Sequence, residues 1–327
     1  MVIRFFKSRQ PLVYVVFVVI ALAAWSAGYP GFTIESRSSM PFYNLLLKLI
    51  SPDHKFIYFL LGLSLILSQT IHLNFICNKH EVLYRNSFLP GLFYLLLSVS
   101  IPQFISFHPV LIVNSILIFT LNKIFRLYKN DTPLAWDFDS CVLLSFMTLF
   151  YLPAVIFLLL YAVSLIILRP FSWRDWVVGL MGFLTPVFFV LLFYFLNDTF
   201  GEIKHFIHTT EISRKFNIKN AVPGGYPFTI IWVSAVFILS LLKIRLNFLK
   251  NTAKTRSYQL IILFLVIISL LMIIFTPSEM LFRFSILCIP LSIIVAYYFL
   301  TTKKAWLTDP VLYLLVAFII YNYISIK

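Results

Sequence analysis

Residues 140–198 read SCVLLSFMTLFYLPAVIFLLLYAVSLIILRPFSWRDWVVGLMGFLTPVFFVLLFYFLND. The first 29 of them, residues 140–168, carry no charge, and they are followed by the polar corner 169–175 and a second long apolar run. As one helix the uncharged run would measure about 43 Å, against roughly 30 Å of bilayer hydrocarbon. Pro153 lies near its centre, where a proline interrupts the hydrogen bonds of a helix. The alternative is two short helices that neighbouring protein must shield.

The distribution of lysine and arginine decides between these alternatives, because cytoplasmic loops are enriched in both residues. With two helices and a cytoplasmic N-terminus, 17 of the 26 basic residues lie in cytoplasmic loops. With one helix every later loop changes sides, and the cytoplasmic number falls to 14. The two-helix alternative has the stronger bias, so we predict that the chain reverses near Pro153.

The composition is that of a polytopic integral membrane protein. Hydrophobic residues make up 61% of the 327 residues, charged residues only 12%, and the mean hydropathy is +0.95. A soluble protein of this size cannot cover its surface with so few charges. The apolar runs do not alternate with polar residues, as barrel strands would. We predict an all-α bundle of about eleven transmembrane helices that forms a single domain over residues 1–327.

The net charge of +14 would suggest a nucleic-acid partner if the protein were soluble. Here the basic residues lie in short loops between apolar runs, so we expect the lipid bilayer and no nucleic acid as a partner. Cys77, Cys141 and Cys288 lie in or beside apolar runs and form no C-x-x-C pair. We therefore expect neither a disulfide framework nor a thiolate zinc site.

Two outside segments are long enough to carry a site. The first, residues 28–55, contains MPFYNLLLKLI at 40–50, which favours a short amphipathic helix at the membrane interface. The second, residues 197–227, is the longest polar segment of the chain. The N-terminus has the basic and apolar parts of a signal peptide without a cleavage motif, so we predict an uncleaved first span. Eleven spans then place the N-terminus in the cytoplasm and the C-terminus outside.

Ionisable residues are scarce inside the predicted spans, which counts against an ion-coupled or proton-coupled transporter. The candidate residues lie in outside segments, which are far apart in sequence and can converge on one outside-facing cleft. They are Glu35, Arg37, Asp53 and His54 in the first segment, Glu202, His205, His208, Glu211, Arg214 and Lys215 in the second, and Glu279 and Arg283 in a later turn.

The four residues Glu202, His205, His208 and Glu211 follow one another at intervals of three. On an α-helix such a stripe drifts by about 60° per step, so neighbours share a face and the outer two do not. Two or three of these residues could join a metal site that is completed from elsewhere. We favour a solvated amphipathic helix on the membrane surface, and we assign no metal.

Several basic residues lie outside, against the positive-inside trend, among them Arg214, Lys215 and Arg283. Phosphate or pyrophosphate binding explains such cations, and so does attraction to anionic lipid head groups. Both alternatives stay open. The corner RPFSWRD at 169–175 is expected on the cytoplasmic side, and its tryptophan suits a membrane interface, so we interpret this corner as an anchor.

The order of these segments resembles that of GT-C-class membrane glycosyltransferases, which use polyprenyl-phosphate sugars. A short span that ends near Pro153 is followed by a second short span, by the corner 169–175, and by a span with the central proline Pro186. The segment at 40–50 resembles the first-loop segment of that family, in which a proline–aromatic pair opens a helix. RFSILCIPLS at 283–292 resembles a late span that begins with Arg and carries a proline. The sequence is also similar in shape to uncharacterised bacterial multi-pass inner-membrane proteins, a likeness that implies no chemistry.

The resemblance implies that a sugar moves from a polyprenyl-phosphate carrier to an acceptor on the outer face of a bacterial inner membrane. It implies Glu35 as the general base that activates an acceptor hydroxyl. The sequence departs from the family here, because the family's first outside loop carries an acidic pair or an Asp near the end of span one, and this chain has only Glu35 there, followed by Arg37. The carrier's tail would lie between spans, beside the short pair at 140–168. The resemblance also implies residues that contact the substrate. Arg214, Lys215 or Arg283 would hold the lipid phosphate, and His205 or His208 would bind the acceptor or a metal. Arg37 is a further substrate-binding residue.

Two other functions stay open. The first is a non-catalytic membrane subunit or scaffold of an envelope assembly, which would have a membrane protein partner. The second is a transporter of lipid-linked sugars, against which the scarcity of charges inside the spans counts. The sequence identifies no cofactor, and it does not decide whether the chain is an enzyme.

Overall fold

The computed structural model describes residues 2–7, 10–35, 40–50, 53–130, 133–199, 201, 226–276, 281–302 and 305–325. These residues form thirteen α-helices and no named strand. The helices are α1 (Val2–Lys7), α2 (Leu12–Gly28), α3 (Pro41–Leu49), α4 (Lys55–Lys79), α5 (Leu89–Ser98), α6 (Pro109–Phe125), α7 (Pro133–Phe150), α8 (Leu158–Leu168), α9 (Trp173–Leu196), α10 (Pro227–Asn247), α11 (Ala253–Ile274), α12 (Cys288–Thr301) and α13 (Ala305–Ile324).

Within the described ranges, seven helical segments are long and apolar enough to cross a membrane. They are Leu12–Gly31, Lys55–Lys79, Pro133–Phe150, Trp173–Leu196, Pro227–Lys250, Ala253–Ile274 and Leu281–Thr301. Shorter apolar helical segments cover Leu89–Ser98, Pro109–Phe125, Leu152–Leu168 and Thr308–Ile324. The protein is therefore an all-α bundle with the multi-pass character of an integral membrane protein. The number of eleven crossings and the GT-C-like fold stay predictions.

The chain reverses within the uncharged run. α7 ends at Phe150, a 3₁₀ turn covers Leu152–Phe157, and α8 follows. The hydroxyl of Tyr161 in α8 lies 3.1 Å from Oδ1 of Asp137 in α7, 24 residues away. In one continuous helix these residues would be about 36 Å apart. This contact confirms the prediction of two helices.

The first of these helices begins earlier than predicted. α7 starts at Pro133 and includes Asp137 and Asp139, which the sequence placed in the loop before the span. A proline suits the first turn of a helix, where its missing N–H has no partner to lose. The side chain of Asp139 is half-exposed and pairs with Lys123 at 2.7 Å, whereas Asp137 is fully buried. The helix thus extends beyond the uncharged run, because one of its two acids is buried and the other is paired at its surface.

One end of the bundle collects the segments that the sequence predicts on the cytoplasmic side, and we call it the basic end. The backbone N–H of Ile3 donates to Oδ1 of Asp309 at 3.2 Å, so α1 contacts α13. The hydroxyl of Thr255 donates to the carbonyl of Glu81 at 3.1 Å, which joins the start of α11 to the turn after α4. Which side of the membrane this end faces stays a prediction.

The opposite end of the bundle, which we call the loop end, contains three segments. They are residues 28–50, which include α3, the connection 99–108 between α5 and α6, and residues 273–287, which lead from α11 into α12. The candidate residues Glu35 and Arg283 both lie at this end. The short helix expected at 40–50 corresponds to α3, where Pro41 occupies the first helical turn.

Two glycines in α9 lie at close contacts with the neighbouring helices. A Cβ atom on Gly182 would lie 2.6 Å from the carbonyl oxygen of Phe138 in α7. A Cβ atom on Gly179 would lie 2.5 Å from the hydroxyl of Tyr161 in α8. Without a side chain, Gly182 lets the backbones of α7 and α9 approach closely, and Gly179 leaves room for the tip of the Tyr161 side chain.

Candidate functional site

The backbone of Glu35 is fixed against the connection between α5 and α6. Its N–H donates to the carbonyl of Phe107 at 2.9 Å, and the N–H of Phe107 donates to the carbonyl of Thr33 at 3.0 Å. Together these bonds form an isolated parallel bridge between Ile34 and Phe107. The predicted catalytic acid therefore sits on a segment that is hydrogen-bonded to the rest of the loop end.

Tyr43 of α3 completes this arrangement from the other side. Its hydroxyl donates to the carbonyl of Glu35 at 2.7 Å, and the carbonyl of Phe107 lies within 3.2 Å. The rings of Tyr43 and Phe107 are stacked, with 6.2 Å between centroids. Burial, and then the nearby Glu35, raises the pKa of the Tyr43 hydroxyl far above its usual range, so it stays a donor. α3 thus positions the Glu35 segment.

His108 joins the same connection to the segment before α12. It is the N-cap of α6, and its Nδ1 accepts from the N–H of Leu111 at 3.0 Å. Its ring stacks on Phe282, with 4.8 Å between centroids and 15° between planes. Burial lowers the pKa of His108 to about 3, partly offset by the backbone of Phe104. The imidazole is therefore neutral at pH 7, and it supports the packing of this end without adding a charge.

Arg283 is only 1% exposed. Its guanidinium donates to the carbonyl of Ile273 at 3.3 Å and to that of Thr276, so it caps the last turn of α11. It also lies 5.1 Å from the ring centre of Phe284. Cations at a helix C-terminus interact favourably with the partial negative charge there. The structure thus gives Arg283 a structural role, and its predicted contact with a lipid phosphate stays a prediction.

An apolar cavity of about 290 Å³ opens beside these segments. Its walls come from α5, the connection after α5, α10, α11, the segment before α12, and α12 itself. The lining side chains are almost all hydrocarbon, and the polar exceptions are the hydroxyls of Ser100, Thr229 and Ser234 and the thiol of Cys288. Phe104 and Phe284 line the cavity, and they belong to the same segments as Phe107 and Arg283. The cavity and the Glu35 segment therefore share one connecting loop.

The helix α13 forms hydrogen bonds to residues that line this cavity. The side-chain amide of Asn322 donates to the carbonyl of Ser100 at 2.9 Å and to the hydroxyl of Thr229 at 3.2 Å. The hydroxyl of Tyr323 donates to the carbonyl of Val99 at 3.1 Å. These bonds tie α13 to the connection after α5 and to the start of α10. The cavity is thus bounded by helices from both halves of the chain.

The sequence placed the lipid tail beside the short pair at 140–168, whereas the apolar cavity lies between α5, α10, α11 and α12. Of the predicted site residues, the structure describes Glu35 and Arg283. The other five, Arg37, His205, His208, Arg214 and Lys215, lie outside the described residues. Among the residues that are described, no group of three or more His, Cys, Asp or Glu side chains could hold a metal ion.

A second polar cluster, which the sequence did not predict as a site, lies toward the basic end. It consists of Asp137 in α7, Tyr161 in α8, Asp175 in α9 and Arg169 between the last two helices. The corner 169–175 was interpreted as an anchor, and Trp173 is indeed 65% exposed. A signal for this cluster was present in the sequence. Asp137 is spaced by three, four and seven residues from positions 140, 141 and 144 of the apolar run, so all four share one face of a helix.

No family model, no curated protein and no solved structure matches this chain. The GT-C resemblance therefore stays a prediction from the order of the segments.

Proposed function

We propose that the chain is an integral membrane protein that binds a lipid-linked substrate, with the lipid chain in the apolar cavity at the loop end. The observation that carries this proposal is the shared connection after α5. Its Phe104 lines the cavity, and its Phe107 holds the backbone of Glu35. A lipid chain in the cavity would thus place its head group close to the Glu35 segment.

The chemistry of the cavity favours a hydrocarbon chain as its occupant. Among the described residues that line it, the polar groups are three hydroxyls and the thiol of Cys288, and lining of this kind suits an apolar ligand. α10 forms one wall and is itself open to lipid, since Phe228 is 48% exposed and Ile231 is 63% exposed. A long chain can therefore enter sideways from the bilayer without crossing a polar surface.

The finer proposal is a glycosyltransferase that uses a polyprenyl-phosphate sugar in the inner membrane of a bacterium, as the GT-C resemblance implies. Glu35 is the proposed general base, and the fixed backbone around it supports this role, because a base must be held within reach of the hydroxyl it deprotonates. Arg37, His205, His208, Arg214, Lys215 and Arg283 are the proposed contacts of the sugar, the phosphate and the acceptor.

The binding step can be tested with a polyprenyl phosphate that carries a diazirine in its chain. The purified protein in nanodiscs is irradiated with this probe, and labelled peptides are identified by mass spectrometry. We expect labels on α5, α10 and α12, and we expect Val233→Trp to abolish them because Val233 lines the cavity. Ile231→Trp is the matched control, since that side chain faces outward on the same helix. Equal labelling of both variants would contradict the proposal.

The transfer step can be tested with Glu35→Gln in reconstituted membranes that contain a polyprenyl-phosphate sugar. We expect loss of sugar from the carrier to fall by two orders of magnitude or more, on the order of a missing general base. Glu81→Gln is the control, because Glu81 is an exposed acid at the opposite end. Diazirine labelling should be unchanged in Glu35→Gln, which separates binding from chemistry. Full transfer by Glu35→Gln would show that Glu35 is not the base.

A second candidate function is a non-catalytic subunit of an envelope assembly, and α9 favours it. Only 11% of the most apolar window of α9 is buried, against 78% for Leu281–Thr301. Phe188, Phe189 and Phe193 are each more than half exposed on its surface. A photo-crosslinking amino acid at Phe189 would capture a discrete partner protein under this hypothesis, and the same group at Ile57 of α4 would not.

A third candidate function is transport of a lipid-linked sugar. The buried carboxyl of Asp137 supports it, since intramembrane acids mark ion and proton pathways. Reconstituted vesicles that move a fluorescent polyprenyl-phosphate sugar between leaflets, without releasing sugar, would favour transport over transfer.

A further inference from the structure

The hydroxyl of Tyr161 joins three helices toward the basic end. It lies 3.1 Å from Oδ1 of Asp137 in α7 and 3.2 Å from the backbone carbonyl of Asp175 in α9. Asp137 is 0% exposed and Asp175 is 4% exposed. Oδ2 of Asp137 is buried and has no hydrogen-bond partner among the described residues. This oxygen is therefore a polar atom that the described part of the chain leaves without a donor.

The charges around Tyr161 do not balance if both carboxyls are ionised. Arg169 pairs with Asp175, with 3.6 Å between Nη1 and Oδ2. The groups that act on Asp137 are Tyr161 from α8, Asp175 from α9 and Arg169 between these helices, together with Cys141 of α7 itself. From α6, Lys123 pairs with Asp139 instead, on the half-exposed side of α7. One guanidinium thus faces two buried carboxyls, and burying an unbalanced charge is costly.

The packing where Tyr161 and Phe138 meet α9 leaves little room for a hydrated metal ion beside Asp137. The tip of the Tyr161 side chain reaches α9 at Gly179, where an added Cβ would lie 2.5 Å from its hydroxyl. Gly182 brings α9 equally close to the backbone of Phe138, the neighbour of Asp137. A calcium or magnesium ion would also need several more oxygen ligands than this cluster offers. A proton on one of the two carboxyls balances the charge, and it needs neither space nor further ligands.

We propose that Asp137 is a proton-binding site, and that the folded protein holds one proton there at neutral pH. The hydrogen-bond count supports this, because the Tyr161 hydroxyl has one proton to donate and two acceptors within reach. With a proton on Asp137, its carboxyl donates to the oxygen of Tyr161, and Tyr161 donates to the carbonyl of Asp175. Oδ1 and the Asp175 carbonyl then each have a partner, and Asp175 and Arg169 remain as a balanced ion pair. Oδ2 becomes the carbonyl oxygen of a neutral acid, which costs less to bury without a donor than a carboxylate oxygen does.

A small cavity lies beside the Arg169–Asp175 pair. It measures about 180 Å³ and is lined by Arg169, Ser172 and Asp175 among others. Asp175 lines this cavity and also contacts Tyr161 through its backbone carbonyl, and Tyr161 in turn contacts Asp137. Loss of the proton would leave two carboxylates facing one guanidinium, and the repulsion would act between α7 and α9. The site therefore links proton occupancy to the packing of three helices.

Infrared difference spectroscopy of the full-length protein in nanodiscs tests the proposal. The carbonyl stretch of a protonated carboxylic acid shifts when H₂O is exchanged for D₂O, and carboxylates do not absorb in that region. We expect this band at neutral pH in the unmodified protein, its loss in Asp137→Asn, and its retention in Asp139→Asn. Tyr161→Phe should shift the band without removing it, because the acid loses its hydrogen-bond partner.

Asn replaces a neutral acid with a neutral group of the same shape, so Asp137→Asn is expected to fold, with an unchanged elution profile in detergent. If this variant does not fold, the band in the unmodified protein and its shift in Tyr161→Phe still decide. A spectrum without the band, or a band that Asp137→Asn retains, overturns the proposal. A melting temperature that rises with Na⁺ but not with choline, in a protein without the band, shows a metal ion in place of the proton.

Discussion

The imidazole of His108 stacks on the ring of Phe282, with 4.8 Å between the centroids and 15° between the planes. This contact joins the residue before α6 to the segment before α12, across more than half of the sequence. The neighbouring Phe107 pairs with the Glu35 segment, so one connection of the chain carries both contacts. The three segments of the loop end are thus fastened to one another through residues 107 and 108.

Protonation of His108 should loosen this end. Burial lowers its pKa to about 3, below the value of about 6.5 in an unfolded chain. Between these two pH values the unfolded state binds a proton at His108 and the folded state does not. The free energy of unfolding that depends on the neutral His108 is therefore fully present above pH 6.5, and it is lost as the pH falls toward 3. We expect the melting temperature in detergent to drop over this range, and His108→Asn to flatten the drop, since Asn also caps helices.

The control for this measurement is His54→Asn, the same substitution at an exposed position. A part of the pH dependence should survive in His108→Asn. Burial also lowers the pKa of His80, which follows α4 at the basic end and bonds Asn122 at 2.8 Å. A profile that His108→Asn leaves as steep as before would contradict the assignment of a neutral, buried imidazole.

Gly182→Ala should destabilise the protein strongly. The added Cβ would lie 2.6 Å from the carbonyl oxygen of Phe138 and 3.1 Å from its Cα. These are backbone atoms of α7, so the two helices must separate. We expect a loss of about 1–3 kcal/mol, as for other overpacked sites, seen as a lower melting temperature. Gly31→Ala is the control, because nothing lies within 4 Å of its added Cβ. Equal melting temperatures would show that α7 and α9 are not packed through Gly182.

The reversal of the chain near Pro153 could be predicted because it leaves two signals in the sequence. A run of 29 uncharged residues is too long for one span, and the basic residues of distant loops favour one orientation. The role of Asp137 leaves no such signal. Asp137 lies two residues from Asp139 and just before an apolar run, a pattern that is typical of a loop exposed to solvent. The burial of Asp137 becomes visible only in the structure, where Tyr161 approaches it from α8.

The sequence indicated the segments that carry the candidate site, but it did not indicate the cavity beside them. Polar residues near 35 and 283 fall in segments that meet at the loop end, and the sequence indicated these segments by their breaks in hydrophobicity. The cavity could not be predicted, since Leu97, Val233 and Leu291 look like any other apolar span residues. These residues line one cavity because of how α5, α10 and α12 pack against one another. Local sequence patterns do not predict tertiary packing of this kind.

The predicted orientation can be measured by cysteine labelling. Cys77, Cys141 and Cys288 are buried and can be replaced by Ala or Ser to give a protein without accessible thiols. A new cysteine at Asp53, which is exposed at the loop end, should react with a membrane-impermeant maleimide in intact spheroplasts. One at Lys250, at the basic end, should react only after the membrane is opened. The reverse pattern would place the N-terminus outside and contradict the charge argument.

Tyr43→Phe should separate the positioning of Glu35 from the binding of lipid. The hydroxyl of Tyr43 donates to the carbonyl of Glu35 at 2.7 Å and lies 3.2 Å from that of Phe107. Its removal should cost about 1 kcal/mol of stability and should allow the Glu35 segment to move. The cavity is lined by other residues, so diazirine labelling by polyprenyl phosphate should stay unchanged.

If Glu35 is the general base, transfer should fall in Tyr43→Phe at saturating substrate, because a misplaced base slows the chemical step and leaves binding intact. Tyr29→Phe is the matched control, since Tyr29 belongs to the same first segment and is 45% exposed. It should change neither the melting temperature nor the rate. A Tyr43→Phe protein that is less stable but transfers at the normal rate would show that α3 supports the fold alone, and the base would then have to lie outside the Glu35 segment.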